Sequence, residues 1–322
     1  MEKVDGKTAF ITGGASGMGL GMAKVFSENG MKIVIADARQ DALDEAMKFF
    51  RATNRPVHAI KLDVRDRKAY AAAADEAEAQ FGKVHVLVNN AGVGSGARIQ
   101  DMTFDDWDFS IGINVGGVIN GVVTFVPRIL AHGEGGHIVT TSSTGGMTAV
   151  GGVAAYCCGK FAVAGMMEAL ASDLAPHGVG ASVFVPGPVR TNLGQSTMAL
   201  RGPMPGMQMR GPPPRPPQAQ GQGQAAGANA PPPRPMFDAS LFMDPLEIGE
   251  RVLRGIKRND LFIHTHPEFK AGMVARNEAL LRAIPDEPIN EARKELLKGF
   301  GTLLKNPIYD KQTTPTGELP KH

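Results

Sequence analysis

Cysteine is almost absent. Two occur in 322 residues, side by side at Cys157 and Cys158. Neighbouring cysteines rarely bridge each other because the geometry is strained, and no metal-ligand spacing surrounds them. They read as two thiols in a reducing compartment. Aromatics are scarce, at 6 % with one Trp, which argues against base-stacking platforms. A net charge of only +2 supplies no field for nucleic acid. The apolar runs are strand-length, short of the roughly 18 residues a membrane helix needs. The opening MEKVDGKTAF has no apolar stretch of signal-peptide length. These absences lead us to expect a cytoplasmic chain that binds neither nucleic acid nor a membrane.

What is present is an alternation. Short β-branched runs at Thr8–Ile11, Lys32–Ala36, Val57–Leu62, Val84–Val88, His137–Ser142 and Gly180–Val185 read as strands. Amphipathic runs at Met18–Asn29, Asp41–Ala52, Asp66–Phe81, Phe104–Ala131 and Val153–Pro176 read as helices. Strand and helix in repetition predict an α/β, Rossmann-type, doubly wound parallel sheet with helices on both faces. The expected organisation is a dinucleotide-binding and catalytic core over 1–192, then a low-complexity insertion over 193–240. A C-terminal strand with extra helices follows over 241–305, and a frayed tail over 306–322. The insertion is rich in Pro, Gly, Gln and Met, a composition that buries too little apolar surface to order itself. Its ends are expected to serve as a substrate lid, with Met198, Met204, Met207 and Met209 as adaptable contacts. Between Asp173 and Asp238 no acid occurs, whereas Arg190, Arg201, Arg210, Arg215 and Arg234 do; these arginines either draw an anionic substrate or are merely solvated.

Ligands of such sheets bind outside the carboxyl ends of the strands, and the motifs fall there. Thr12-Gly13-Gly14-Ala15-Ser16-Gly17-Met18-Gly19 joins the first strand to the first helix. Glycines let the backbone approach a pyrophosphate, and the helix N-terminus offers free N–H groups. Asp37 ends the second strand, where an acid reads the two adenosine ribose hydroxyls and repels a 2′-phosphate. Arg39, two positions on, would favour the phosphorylated cofactor instead. Asp63, at the end of the third strand, is placed to contact adenine or to make a turn.

Tyr156-Cys157-Cys158-Gly159-Lys160 puts a phenol and an ammonium one helical turn apart. A phenol is a poor base at neutral pH. An adjacent ammonium and a positive nicotinamide favour its phenolate, making Tyr156 a workable general acid/base.

The whole set resembles the short-chain dehydrogenase/reductase family over residues 5–195 closely and 240–285 loosely. Its elements stand in order: Thr12–Gly19, Asp63, Asn89-Asn90-Ala91-Gly92, Asn114, Ser143, Tyr156 with Lys160, and Pro186-Gly187 followed by Val189 and Thr191. The resemblance implies that Ser143 hydrogen-bonds the substrate oxygen and that Tyr156 exchanges its proton. Lys160 lowers the tyrosine pKa and holds the nicotinamide ribose, and Asn114 holds a water in a proton relay. Cofactor contacts are implied for Gly13, Ser16, Gly17, Met18, Gly19, Asp37, Asp63, Val64, Asn90, Ala91 and Gly92, and for Pro186, Gly187, Val189 and Thr191. No metal is needed, and the implied cofactor is NAD. The family pattern is departed from in two places: Cys158-Gly159 stand where Ala-Ser is common, and Ser182 stands where Asn is common.

The stretch Gly116–Arg128 with Gly136–Thr140, and the segment His264-Thr265-His266-Pro267-Glu268, resemble the branch that oxidises bulky aryl secondary alcohols. That branch includes the Cα-dehydrogenases of lignin-derived aryl ethers. The expected activity is therefore NAD-dependent exchange between a large apolar alcohol, aryl or steroid-like, and its ketone. The alternatives are an NADPH-dependent ketoreductase of 3-oxoacyl type and a non-catalytic nucleotide-sensing scaffold. His264 and His266 read as pocket-lining or solvent-facing rather than a metal pair. The resemblance further implies a homodimer or homotetramer built on the helices near Phe104–Ala131 and Val153–Pro176.

Overall fold

The computed structural model describes residues 1–94, 97–201 and 239–316. Met204, Met207, Met209, Arg210, Arg215 and Arg234 lie outside them. Seven parallel strands form one sheet in the order β3-β2-β1-β4-β5-β6-β7. These are β1 (Thr8–Thr12), β2 (Lys32–Asp37), β3 (Val57–Lys61), β4 (Val86–Asn89), β5 (Gly136–Thr141), β6 (Val179–Val185) and β7 (Phe262–His264). The chain starts in the middle at β1, runs outward to β3, then crosses back to β4 and runs to the other edge. The reversal at β1 and β4 opens a crevice above their carboxyl ends.

Strand side chains alternate between two cores. Ile11, Ile33, Ile35, Val86 and Val88 face one side. They meet Met22 and Phe26 of α1 (Gly17–Glu28), Leu43 and Phe50 of α2 (Gln40–Ala52), and Ile248 and Val252 of α8 (Pro245–Arg258). Phe10, Val34, Leu87, Ile138 and Val183 face the other. There they meet Tyr70 of α3 (Arg67–Phe81), Phe125 and Ile129 of α5 (Gly117–His132), and Met167 and Leu174 of α6 (Ala154–Leu174). Both faces of the sheet are apolar, which is why its strands read as continuous hydrophobic runs.

Three expectations are corrected. The single helix expected over Phe104–Ala131 is α4 (Phe104–Ile111), a wider π-turn at Gly112–Gly116, and α5. Together, Phe104–His132 is long and apolar enough to cross a membrane by length and composition. Its Val118, Phe125 and Ile129 are pressed into the protein core, as befits a core helix. Leu193–Arg201, assigned to the low-complexity insertion, is an ordered helix, α7. Its residues precede the proline tract and repeat Leu193, Ser196 and Leu200 at helical spacing. The described part of the tail, 306–316, is docked rather than frayed: Ile308 is buried and the Tyr309 hydroxyl donates to Glu168. Asn306 donates to Ser172 at 2.8 Å, and Gln312 accepts from the Phe262 amide at 2.8 Å. Between β7 and this return, α9 (Lys270–Arg282) and α10 (Glu291–Lys298) form an exposed arm.

Candidate active site

The turn from β1 into α1 is built for close approach. Gly13 and Gly17 have φ of 61° and 50°, values that favour glycine. A Cβ at Gly13 would meet the Ala91 backbone at 3.0 Å, and one at Gly17 would meet Thr191 at 3.2 Å. Thr12 ties this turn to the end of β4. Its hydroxyl donates to the Val88 carbonyl and accepts from the amides of Asn90 and Ala91. The Asn90 side chain donates back to the Thr12 and Gly13 carbonyls, and Asn89 donates to Thr140 on β5.

A cleft opens above this frame. Of the implied cofactor residues, Gly13, Ser16, Gly17, Met18, Asp37, Asp63, Val64, Asn90, Ala91, Gly92 and Thr191 line it. Gly19 does not. A Cβ there would fall 2.0 Å from the Gly13 carbonyl, so it lets the helix close on the turn. Pro186, Gly187 and Val189 are not on the cleft wall either. Gly187 is bonded to Thr265, and Val189 is bridged to Met243. Sequence reasoning missed Ile113, Arg65, Ser196 and Leu200, which also line the cleft. Only the spacing within α7 could have signalled the last two.

At one end, Asp37 accepts from the amides of Arg39 at 3.0 Å and Ala15 at 3.4 Å. Burial raises its carboxyl pKa above the usual range, against the pull of those amides. The Arg39 guanidinium donates to Ser16 Oγ at 3.3 Å. Asp63 is held by Arg65, whose Nε reaches both carboxylate oxygens at 3.0 and 3.1 Å. That pairing lowers the Asp63 pKa.

At the other end stands the polar set. Ser143 accepts from the Gly145 amide at 3.1 Å and bonds the Tyr156 phenol. Its neighbour Ser142 turns away and donates to the Lys160 carbonyl at 2.8 Å. Lys160 Nζ donates to the Thr141 carbonyl at 2.8 Å and lies 5.6 Å from the centre of the Tyr156 ring. Burial drops the lysine pKa to about 8. Burial also raises the Tyr156 pKa, and only the bond from Ser143 pulls it back. Desolvation penalises the phenolate, so burial is the larger influence on Tyr156 here.

Gly92 links the two ends. It lines the cleft, and a Cβ on it would meet Asn114 Oδ1 at 2.9 Å and Lys160 Nζ at 3.4 Å. Asn114 sits in the π-turn, fully buried. Its side chain accepts from the Val93 amide and donates to the Val93 carbonyl and to Ser110. The amide is thereby committed to bracing the chain beyond Gly92. The departure at Gly159 has a reason here: a Cβ would come within 3.3 Å of Asn114, so glycine lets α6 pack on the π-turn. The departure at Ser182 is also filled, accepting from His137 at 2.7 Å and donating to the Asp260 carbonyl at 2.5 Å. His264 is lowered in pKa by burial. Cys157 is buried and Cys158 exposed, both free thiols. The two described arginines of the expected positive lip are neutralised, Arg190 by Asp244 and Arg201 by Asp106.

Comparison with known proteins agrees with this geometry. A C alpha-dehydrogenase from Sphingobium sp. is 36 % identical over 291 residues, covering 88 % of each chain. The apo form of LigO from Sphingobium sp. superposes with a TM-score of 0.73 at 35 % identity, covering 95 % of this chain and 100 % of that one. A short-chain dehydrogenase/reductase from Burkholderia phymatum, solved in complex with NAD, gives 0.73 at 31 % identity, covering 90 % and 100 %. The short chain dehydrogenase family pattern spans residues 7–201, from the residue before β1 to the last residue of α7, and by that match this chain is a member of the short-chain dehydrogenase family of oxidoreductases.

Proposed function

We propose that this enzyme exchanges a hydride between NAD and a bulky, hydrophobic secondary alcohol, aryl or steroid-like, or its ketone. The observation that carries the reading is the Ser143–Tyr156 hydrogen bond with Lys160 beside it, adjoining a cleft with a glycine cradle and an acid at its far end. The cradle fits a dinucleotide: Gly13 and Gly17 leave room where any Cβ would crowd the turn, and the N-terminus of α1 faces an anion with free amides. A bound nicotinamide supplies the hydride acceptor or donor.

The chain's own residues handle the proton. Tyr156 accepts it from the alcohol oxygen during oxidation and returns it during reduction. Ser143 donates a hydrogen bond to the tyrosine oxygen and orients the substrate oxygen beside it. Lys160 spends one of its three donors on Thr141 and offers the others to a ribose hydroxyl. Asn114 positions Gly92 and Val93 at the junction. The likeness to a C alpha-dehydrogenase supports a secondary alcohol next to a large group. The exposed Ile119 and Val123 on α5 and Cys158 and Ala162 on α6 support assembly as a homodimer or homotetramer through these helices.

One observation favours a second reading. Arg39 reaches Ser16 across the ribose end, where a guanidinium would welcome a 2′-phosphate. Initial rates with NAD⁺ and NADP⁺ on a panel of aryl and steroidal secondary alcohols separate the two. NAD⁺ preference with an aryl or steroidal hit supports the proposal; NADP⁺ preference puts the ketoreductase reading first. A Tyr156→Phe variant should lose turnover and keep NAD⁺ binding. Normal turnover in that variant would sink the mechanism.

A further inference from the structure

The segment that leaves β6 toward Thr191 is held from behind by the exit of β7. Gly187 donates its amide proton to Thr265 Oγ1 at 3.1 Å, and the same oxygen lies 2.6 Å from His266 Nδ1. Thr265 is only 2 % exposed. An amide N–H can only donate, and a hydroxyl carries one proton. No other acceptor is bonded to that hydroxyl among the described residues. The hydroxyl and the His266 ring are therefore joined by one short hydrogen bond, whose donor is set by the ring's tautomer. The ring in turn presses on Gly187. A Cβ at that position would meet His266 Nδ1 at 2.6 Å and Phe269 at 2.8 Å.

Both ends of this segment touch the candidate active site. Upstream, the Pro186 carbonyl accepts from the amide of Thr144 at 3.1 Å, next to Ser143. Downstream, Pro188 and Arg190 pair with Met243 through two backbone bonds of 3.1 Å, and the chain reaches Thr191 on the cleft wall. Asp37 and Asp63 line the opposite, adenosine end and belong to β2 and the turn after β3, away from this contact.

We propose that Thr265 is a positioning residue for the nicotinamide half of the dinucleotide site. One hydroxyl locks the Gly187 backbone and the His266 ring together and thereby sets where residues 186–191 stand beside Ser143. The adenosine half is built without it. The inference rests on the dinucleotide reading of the cleft.

The test compares the full chain with Thr265→Val, which keeps the shape and loses the hydroxyl, and Thr265→Ser, which keeps the hydroxyl. Each is titrated calorimetrically with NAD⁺ and with ADP, which lacks the nicotinamide half. Losing a buried hydrogen bond should weaken NAD⁺ about tenfold in Thr265→Val. ADP should stay within about twofold, and Thr265→Ser should recover NAD⁺ affinity. A Gly187→Ala variant, which drives a methyl into His266, should give the same split and stands in if Thr265→Val does not fold. Unchanged NAD⁺ affinity in Thr265→Val, or equal loss of NAD⁺ and ADP, overturns the assignment. If the unaltered chain binds neither nucleotide, the dinucleotide reading falls and takes this proposal with it.

Discussion

Arg39 lays its guanidinium on the Ser16 hydroxyl at 3.3 Å while its own amide donates to Asp37 at 3.0 Å. The cleft therefore presents an anion and a cation, two residues apart, at one end, where the proposed dinucleotide would place its adenosine ribose. The carboxylate can accept from a diol, and the guanidinium can pair a phosphate. Asp37→Ala should raise the KM for NAD⁺ about 10- to 100-fold, the worth of one or two hydrogen bonds to a charged group. Arg39→Ala should leave the KM for NAD⁺ within about threefold and weaken NADP⁺. Steady-state kinetics with both cofactors check this, and a larger NAD⁺ loss in Arg39→Ala than in Asp37→Ala would reverse the assignment.

Lys160 trades stability for chemistry. Its pKa is about 8 when folded, against 10.5 as a free side chain. The unfolded chain therefore binds the extra proton between those values, and stability rises with pH across that window. Below pH 8 the full penalty, about 3 kcal/mol, is in place. Lys160→Met should lose 100-fold or more in kcat and flatten this rise. At pH 7 it should melt higher than the parent by a few degrees. Urea titrations at pH 7.5 and 10 measure both effects. A variant that melts lower at pH 7 would show that the bond to Thr141 outweighs the desolvation.

Much of this was legible in the sequence because it is local. Tyr156 and Lys160 lie one helical turn apart, and strand–turn–helix context places Thr12–Gly19 without any tertiary knowledge. The π-turn was not legible, since Asn114 is held by Val93, 21 residues away. The docking of Tyr309 on Glu168 spans 141 residues, and no local pattern encodes it. Helix α7 was lost to averaging: nine residues of helical spacing were read together with the proline tract behind them. The raised pKa of Tyr156 in this structure was not legible either. Spacing shows which charges are near, but burial decides what they are worth.

Helix α7 is latched over the cleft. The Thr197 hydroxyl accepts from the Gly94 amide at 2.9 Å. Arg201 pairs with Asp106 at the start of α4, with side chains only 16 % and 13 % exposed. Arg201→Ala should speed proteolysis within residues 193–201 about tenfold, as expected for losing roughly 1–2 kcal/mol of a partly buried pair. The global melting temperature should move little. Equal proteolysis of both proteins would show that Thr197 and the cleft contacts hold the helix without the ion pair.

His137 is buried against Ser182, and its pKa falls to about 3. Unfolded, it takes a proton near pH 6.5. Because the folded value is the lower one, stability is lost as pH falls from about 6.5 toward 3. Glu134 adds to this acid weakness, since Lys83, His85 and Lys7 hold its carboxyl below the usual range. His137→Leu should flatten the slope by about one proton, or roughly 1.4 kcal/mol per pH unit. Denaturation midpoints between pH 6.5 and 4 report it, and parallel slopes for the two proteins would refute it.

The return of the chain to Phe262 has a consequence for how the molecule meets its neighbours. An outermost strand exposes unpaired backbone amides, a template on which another chain can extend the sheet. Here that strand is three residues long, and the amide of its first residue is already taken by the side chain of Gln312. The growing edge is stoppered from within, so this flank offers a newcomer little to pair with, and crowding in a concentrated solution is turned away from ribbon-like stacking.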